Sequence, residues 1–183
     1  RADHLPFHGY ARPTAPFLTR LAADAVVFDH AWSTSGWTAP ATASLFTSLY
    51  PQQHGVVRSL DLVGGRVNRI PSEAQTIAEA LREAGYRTFG VSDNVHVSPE
   101  MGFDQGFDVF EASVSASAER VNKWIRDHRP ALRAAQPYFL YVHYMEPHEP
   151  YLPHEPWFRA FSADGMPVSG KPHFVAAYDS EIR

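Results

Sequence analysis

The sequence contains no cysteine, which excludes a disulfide framework and any zinc–thiolate site while saying little about compartment. It has no apolar run near the ~20 residues needed to cross a bilayer and no visible secretory leader. Strong charge of either sign is missing too. Sixteen Lys and Arg against 20 Asp and Glu leave a net charge of −4, so neither nucleic acid nor an acidic membrane is an expected partner. Internal repeats and low-complexity tracts are absent. What is present is ordinary globular material: 183 residues, 44% hydrophobic and 20% charged, enough for one domain with a real core.

Residues 1–16 are rich in turn formers and lead into a helix expected at 16–23, with Phe17, Leu18, Leu21 and Ala22 on one side. Residues 25–32, A-V-V-F-D-H-A-W, read as a strand. Residues 59–70 carry a Gly64-Gly65 pair and read as a hairpin-like loop. A helix starts at Ser72 or Gln75, runs through T-I-A-E-A-L-R-E-A and stops at Gly85. Its buried stripe is expected to be Ile77, Ala80, Leu81 and Ala84. Residues 86–92 form the next strand, followed by a long loop over 93–111 with glycines at 102 and 106. A helix over 116–128 is closed by Pro130, and residues 138–144, Y-F-L-Y-V-H-Y, are apolar on both faces, as strands in the middle of a helix-covered parallel sheet are. Residues 147–172 read as a proline-rich surface loop. The chain opens on Arg1 and closes on A-A-Y-D-S-E-I-R, a helix with no stop signal, so it reads as truncated at both ends. Alternating helices and strands indicate α/β: a three-layer α/β/α sandwich with a mostly parallel central sheet. In such sheets, sites lie beyond the carboxyl ends of strands. Three loops leave those ends, at 33–38, 93–96 and 145–148, and all carry polar groups.

The most informative stretch is residues 38–55, T-A-P-A-T-A-S-L-F-T-S-L-Y-P-Q-Q-H-G. It puts a hydroxyl, Thr38, just before a helix in which Pro40 suits the first position, and Pro51 ends the run. An oxygen there sits among unpaired N–H groups at the positive end of the helix dipole, which makes an anion site with a nucleophile inside it. On spacing alone, the same residues fit a plain Thr N-cap on a core helix.

This stretch resembles the signature of the sulfatases and their relatives in the alkaline phosphatase superfamily, through Thr38, Pro40, Ser44, Leu45, Thr47, Tyr50, Pro51, His54, Gly55 and Val56, with Ser48 in place of the usual glycine. The likeness covers almost the whole chain. It implies a partial catalytic domain over 1–183, lacking the family's first strand and C-terminal part. Thr38 falls on the nucleophile position, where sulfatases carry a cysteine or serine that is oxidised to formylglycine. Threonine cannot follow that route, although threonine nucleophiles occur in phosphoethanolamine transferases and nucleotide pyrophosphatases of the superfamily. Thr42 stands where sulfatases usually carry an arginine, and supplies no bidentate fork. The segment G-V-S-D-N-V-H-V-S-P-E resembles the family's Lys-x-His segment, with Asn94 for the lysine and His96 for the histidine. The segment E-P-H-E-P implies a further substrate-side histidine at His148. His143 is expected to pack in the core, His54 to pack and hydrogen-bond, and Asp3 to be structural.

The resemblance therefore implies Thr38, His96 and His148 as catalytic, Asn94 and Thr42 as substrate-binding, and Thr38 as a metal ligand. A helix terminus offers at most about 2 kcal/mol to a negative charge, against a barrier reduction of roughly 8–23 kcal/mol. One divalent metal ion is the expected cofactor, Ca2+ or Mn2+/Mg2+ in preference to Zn2+, with its main ligands in the family's upstream aspartate and downstream Asp-His or Asp-Asn pair, outside this chain. The expected partner is a small anionic ester, and a periplasmic or extracellular setting accords with the family. The alternatives are a transferase moving phosphoethanolamine or phosphoglycerol, and a degenerate anion-binding member without turnover.

Overall fold

The structure is a computed structural model, and it describes residues 1–58, 68–114, 117–162 and 169–183. The loop expected over 59–70 therefore lies largely outside the described residues, as does the expected helix start at Ala116. The chain divides into two units, residues 32–145 and residues 1–31 with 146–183.

The 32–145 unit is built on a parallel sheet of β1 (Arg87–Ser92), β2 (Val109–Ala112) and β3 (Tyr138–His143), in the order β2-β1-β3. Phe89 lies opposite Val109 on one side and Leu140 on the other. Because side chains alternate along a strand, the sheet feeds two cores. Phe89, Val91, Val109, Leu140 and Val142 pack against Val121, Trp124, Ile125 and Leu132 of α5 (Ala118–Ala134). On the opposite face, Phe110 and Tyr141 pack against Ala39, Ala43 and Phe46 of α2 (Thr38–Thr47). Helices on both faces of a parallel sheet are the layered α/β arrangement expected from the sequence.

Several boundaries differ from expectation. Residues 25–32 form no strand. No described strand pairs with them, and a lone extended segment leaves its backbone groups to water, so Val26 and Phe28 are 80% and 71% exposed. β2 takes up the end of the stretch read as a loop over 93–111 and runs one residue past it, and it is too short to show a pattern of its own. Pro130 sits inside α5. It is exposed, and the helix runs through it to Ala134. The proline-rich stretch holds the short helix α6 (Trp157–Phe161) and the start of α7 (Lys171–Ile182). α1 (Pro16–Ala22) forms, with Phe17 and Leu21 exposed.

The helix after residue 72 is α4 (Ile77–Glu83), capped by Thr76. Thr76 Oγ1 accepts from Glu79 N–H at 3.1 Å while the Glu79 carboxylate accepts from Thr76 N–H at 2.9 Å, a reciprocal capping box. The buried position is Ala78, not Ile77, which is 42% exposed. The rotation follows from two fixed points. Thr76 Oγ1 donates to Gln105 O at 2.9 Å, and Gly106, at φ +90°, brings its Cα against the helix start. A Cβ on Gly106 would meet Glu79 N at 2.4 Å.

In the other unit, the fully buried Asp179 carboxylate of α7 accepts from His4 Nδ1 at 2.6 Å, Tyr10 OH at 2.6 Å and Arg12 Nη1 at 2.7 Å. Burial and that carboxylate push the Tyr10 phenol up to about 12. Asp3 pairs with the Arg1 guanidinium, which holds its carboxyl at about 2; this is a structural use of Asp3.

Gly106→Ala should cost at least about 2 kcal/mol, combining the left-handed backbone with the collision at Glu79. Urea unfolding of the variant checks this, and Gly9→Ala, where nothing lies within 4 Å, should cost less.

Candidate functional site

Thr38 stands in the first turn of α2. Trp37 is the N-cap residue, Thr38 the first helical residue and Pro40 the third, and no side chain caps the turn. Thr38 is thus inside the helix rather than ahead of it. With Trp37 offering no oxygen, the leading N–H groups keep the unsatisfied, positively polarised character of a helix start. Ala39 and Pro40 are buried and Thr38 is half-buried, which leaves its hydroxyl within reach of solvent.

The helix is held from behind. Phe46 meets the Tyr141 ring edge-on, centroids 4.8 Å apart, and meets Phe103 at 5.4 Å. His54, on the following short helix α3 (Pro51–His54), is 1% exposed. Its Nδ1 accepts the Val56 N–H at 3.0 Å, so the neutral ring carries its proton on Nε2, 3.0 Å from Ser44 Oγ. This is the packing and hydrogen-bonding role expected for it.

His96 comes from the loop after β1. Its ring stands edge-on to Trp37, centroids 5.9 Å apart at 88°, so it lies beside the residue that opens α2. Its Nδ1 is buried without a protein partner. The loop is shaped by Asn94, whose Oδ1 accepts the His96 N–H at 2.9 Å and whose Nδ2 donates to Met145 Sδ at 3.5 Å. Asn94 is 5% exposed; its side chain is engaged in building the turn that presents His96.

Thr42 follows Thr38 by four residues, on the same side of α2, and is 8% exposed. It adjoins Tyr141, whose phenol is pushed well up by burial while the Thr42 hydroxyl works the other way. Tyr141 OH also lies 2.8 Å from His143 Nδ1. His143 is thus a core histidine with a satisfied nitrogen; burial lowers its pKa, and the Asp93 carboxylate opposes that. Asp93 is 1% exposed, accepts from Ser113 Oγ and the Ser117 N–H, and ties the end of β1 to the start of α5. Sequence reasoning missed it; a carboxylate directly after a buried strand was the available signal. Beside α2, an open cleft of about 370 Å³ is lined by Trp32, Ser33, Thr34, Ala41, Thr42, Ser44 and Leu45.

Thr38, Thr42, Asn94 and His96 thus belong to one unit, whereas His148 belongs to the other. His148 is exposed, with Nδ1 2.8 Å from Glu149 O. A carbonyl only accepts, so Nδ1 carries the proton and Nε2 is the available nitrogen. Among the described residues, no group of three or more His, Asp or Glu side chains could hold a metal ion, and no helix is long and apolar enough to cross a membrane.

The sulfatase family model matches residues 1–183. The chain belongs to the sulfatase family. An N-acetylgalactosamine-6-O-sulfatase of Bacteroides thetaiotaomicron is 28% identical over 134 residues, which is 64% of this chain and 25% of that protein. The phosphonate monoester hydrolase of Agrobacterium radiobacter superposes on the whole chain with TM-score 0.69 and 19% identity, over 54% of its own length. The soluble domain of lipooligosaccharide phosphoethanolamine transferase A from Neisseria meningitidis does so with TM-score 0.66 and 17% identity, also over 54% of its length. This sulfatase-family chain therefore spans a quarter of the first relative and about half of the other two, and the two structures establish its fold.

Burial lowers the pKa of His54 below its ordinary 6.5. Above that value both folded and unfolded chains are neutral there; below it the unfolded chain takes a proton that the folded one resists. Stability should therefore fall as pH drops below 6.5. His54→Gln should flatten that slope, leaving the parallel contribution of His143. Urea midpoints measured across this range check the sign.

Proposed function

We propose that this chain is the nucleophile-bearing part of a sulfatase-family hydrolase of small sulfate or phosphate esters, with Thr38 as the nucleophile. The observation that carries the reading is the uncapped first turn of α2, with the Thr38 hydroxyl in it and His96 packed beside it through Trp37. The N–H groups of that turn favour the equatorial oxygens of a bound ester, whose charge grows as the bond to the leaving group stretches. In this reading Thr38 Oγ attacks sulfur or phosphorus in line, losing its proton to solvent water as the Oγ–S or Oγ–P bond forms and the bond to the leaving oxygen breaks. Water then cleaves the Thr38 ester and regenerates the hydroxyl. His96 donates to a non-bridging or leaving oxygen. Thr42 and Asn94 flank the ester.

The divalent cation expected for the family would activate the Thr38 oxygen. Thr38 alone is one oxygen ligand, and the described residues supply no cluster to join it. The residues present do not make a cation site by themselves, so the steps above are confined to what the chain's own groups do.

The relative named for a sulfated amino sugar supports a sugar ester as the substrate class. A transferase is the second reading. Threonine at the nucleophile position supports it, because an alcohol in place of water would then resolve the Thr38 ester.

In a polypeptide carrying this chain with the remainder of a sulfatase domain, Thr38→Ala should lower turnover of 4-nitrophenyl sulfate or phosphate at least ~10³-fold. The 183-residue chain alone should retain substoichiometric Ca2+, Mn2+ or Mg2+ after dialysis and show no turnover. Metal analysis and release of 4-nitrophenol check both, and full activity of the Thr38→Ala variant sinks the assignment. An added alcohol that captures the phosphoryl group favours the transferase reading.

A further inference from the structure

Lys171, Phe174, Val175 and Tyr178 fall at i, i+3, i+4 and i+7 of α7, which puts them on one face of the helix. They form one wall of a cavity of about 280 Å³, completed by Arg1, His4 and Tyr151. All of these residues belong to the unit of residues 1–31 with 146–183. A space of that size lies at the lower end of ligand pockets and takes a single substituted ring.

His4 is held there from behind. Its Nδ1 lies 2.6 Å from the fully buried Asp179 carboxylate. Its ring sits between Tyr10 and Tyr178, with centroids 4.7 and 4.8 Å away. Tyr151 in turn meets Tyr178 edge-on at 5.2 Å. A carboxylate only accepts, so Nδ1 carries the proton, and Nε2 of the neutral ring is a bare acceptor. Among the described residues Nε2 has no hydrogen-bond partner, and the side chain keeps 15% of its surface exposed. Orientation and tautomer are thus both fixed by the protein, while the second nitrogen is left for something else.

The charges around the cavity leave one cation over. Arg12 Nη1 lies 2.7 Å from Asp179 and balances that carboxylate. Arg1 Nε donates to Asp3 at 2.9 Å. Lys171 is exposed and has no ion-pair partner among the described residues. Seven residues of helix separate Lys171 from Tyr178, about 10 Å along the axis, and His4 packs on Tyr178. The free ammonium and the fixed imidazole therefore stand towards opposite ends of the cavity, with aromatic side chains between them.

We propose that this cavity binds a small hydroxylated aromatic carboxylate. Its ring packs among Tyr151, Phe174 and Tyr178, its hydroxyl donates to His4 Nε2, and its carboxylate pairs with Lys171. A planar π system meets those aromatic walls with favourable edge and face contacts, which is why an aromatic acid fits better than a sugar acid. The proposal does not rest on the reading of Thr38.

Titration of the 183-residue chain with 4-hydroxybenzoate, followed by calorimetry and by side-chain NMR of histidine and tyrosine, tests it. The expected Kd is on the order of 0.1–1 mM, with resonance shifts at His4, Tyr151 and Tyr178. Benzoate, which lacks the hydroxyl, should bind about fivefold more weakly. 4-Hydroxybenzyl alcohol, which lacks the charge, should bind about threefold more weakly, and Lys171→Gln should abolish that difference. Glucuronate should bind at least about tenfold more weakly. No saturable binding of 4-hydroxybenzoate up to about 10 mM, or shifts confined to residues outside the cavity, overturns the site. Glucuronate binding as tightly overturns the aromatic assignment, and equal affinity for benzoate overturns the role of His4. An affinity for 4-hydroxybenzoate unmoved by Lys171→Gln overturns the carboxylate pairing. His4→Phe should equalise 4-hydroxybenzoate and benzoate; if the lost Asp179 contact keeps that variant from folding, the benzoate comparison in the unaltered chain decides.

Discussion

The candidate site depends on the parallel pairing of β1 with a neighbour on each side. With β2 and β3 both hydrogen-bonded to it, β1 has no free edge, and burial on both faces forces helices onto both. The pairing with β3 continues past the strand end, where the Asp93 N–H donates to His143 O at 3.1 Å. That bond starts the turn in which Asn94 and His96 stand. The same register places Tyr141 under α2, and the Phe46–Tyr141 contact fixes where the first turn of α2 emerges. Strand pairing, ring packing and helix start form one chain of cause from the sheet to the Thr38 hydroxyl.

The elements that position the site were legible where local and tertiary signals agreed. β3 was visible as an apolar run, β1 as a run entered from a glycine-stopped helix, and α4 as a run of helix formers ended by Gly85, which takes φ +90°, although its N-cap is Thr76 rather than Ser72 or Gln75. The failures came where a partner decided the matter. Residues 25–32 have strand-forming side chains but nothing described to pair with. Val109–Ala112 is ordinary as sequence and becomes a strand because β1 offers an edge. Pro130 reads as a stop, yet it sits on an exposed face of α5 whose opposite side is pinned by Val121, Trp124 and Leu132. Within the site, the role of His143 followed from its place inside an apolar strand, whereas the partners of Asp93 were not legible, because its donors come from Ser113 and Ser117, twenty or more residues away.

Thr38 shows how little separates a cap from a site. Moving the helix start by one residue transfers the capping position to Trp37, which has no oxygen to give. The turn then keeps its N–H groups for something else, and the hydroxyl that would have satisfied one of them stands free beside them. The aromatic ring at Trp37 uses its position instead to pack against His96.

The Asn94 amide oxygen braces the loop by receiving the backbone N–H of His96. A lysine has no acceptor to give that backbone. A lysine at 94 would deliver a charge to the neighbourhood while removing the acceptor that seats the imidazole two residues on. The charge and the brace are therefore alternatives at this position, and a cation there needs a second residue to hold the loop.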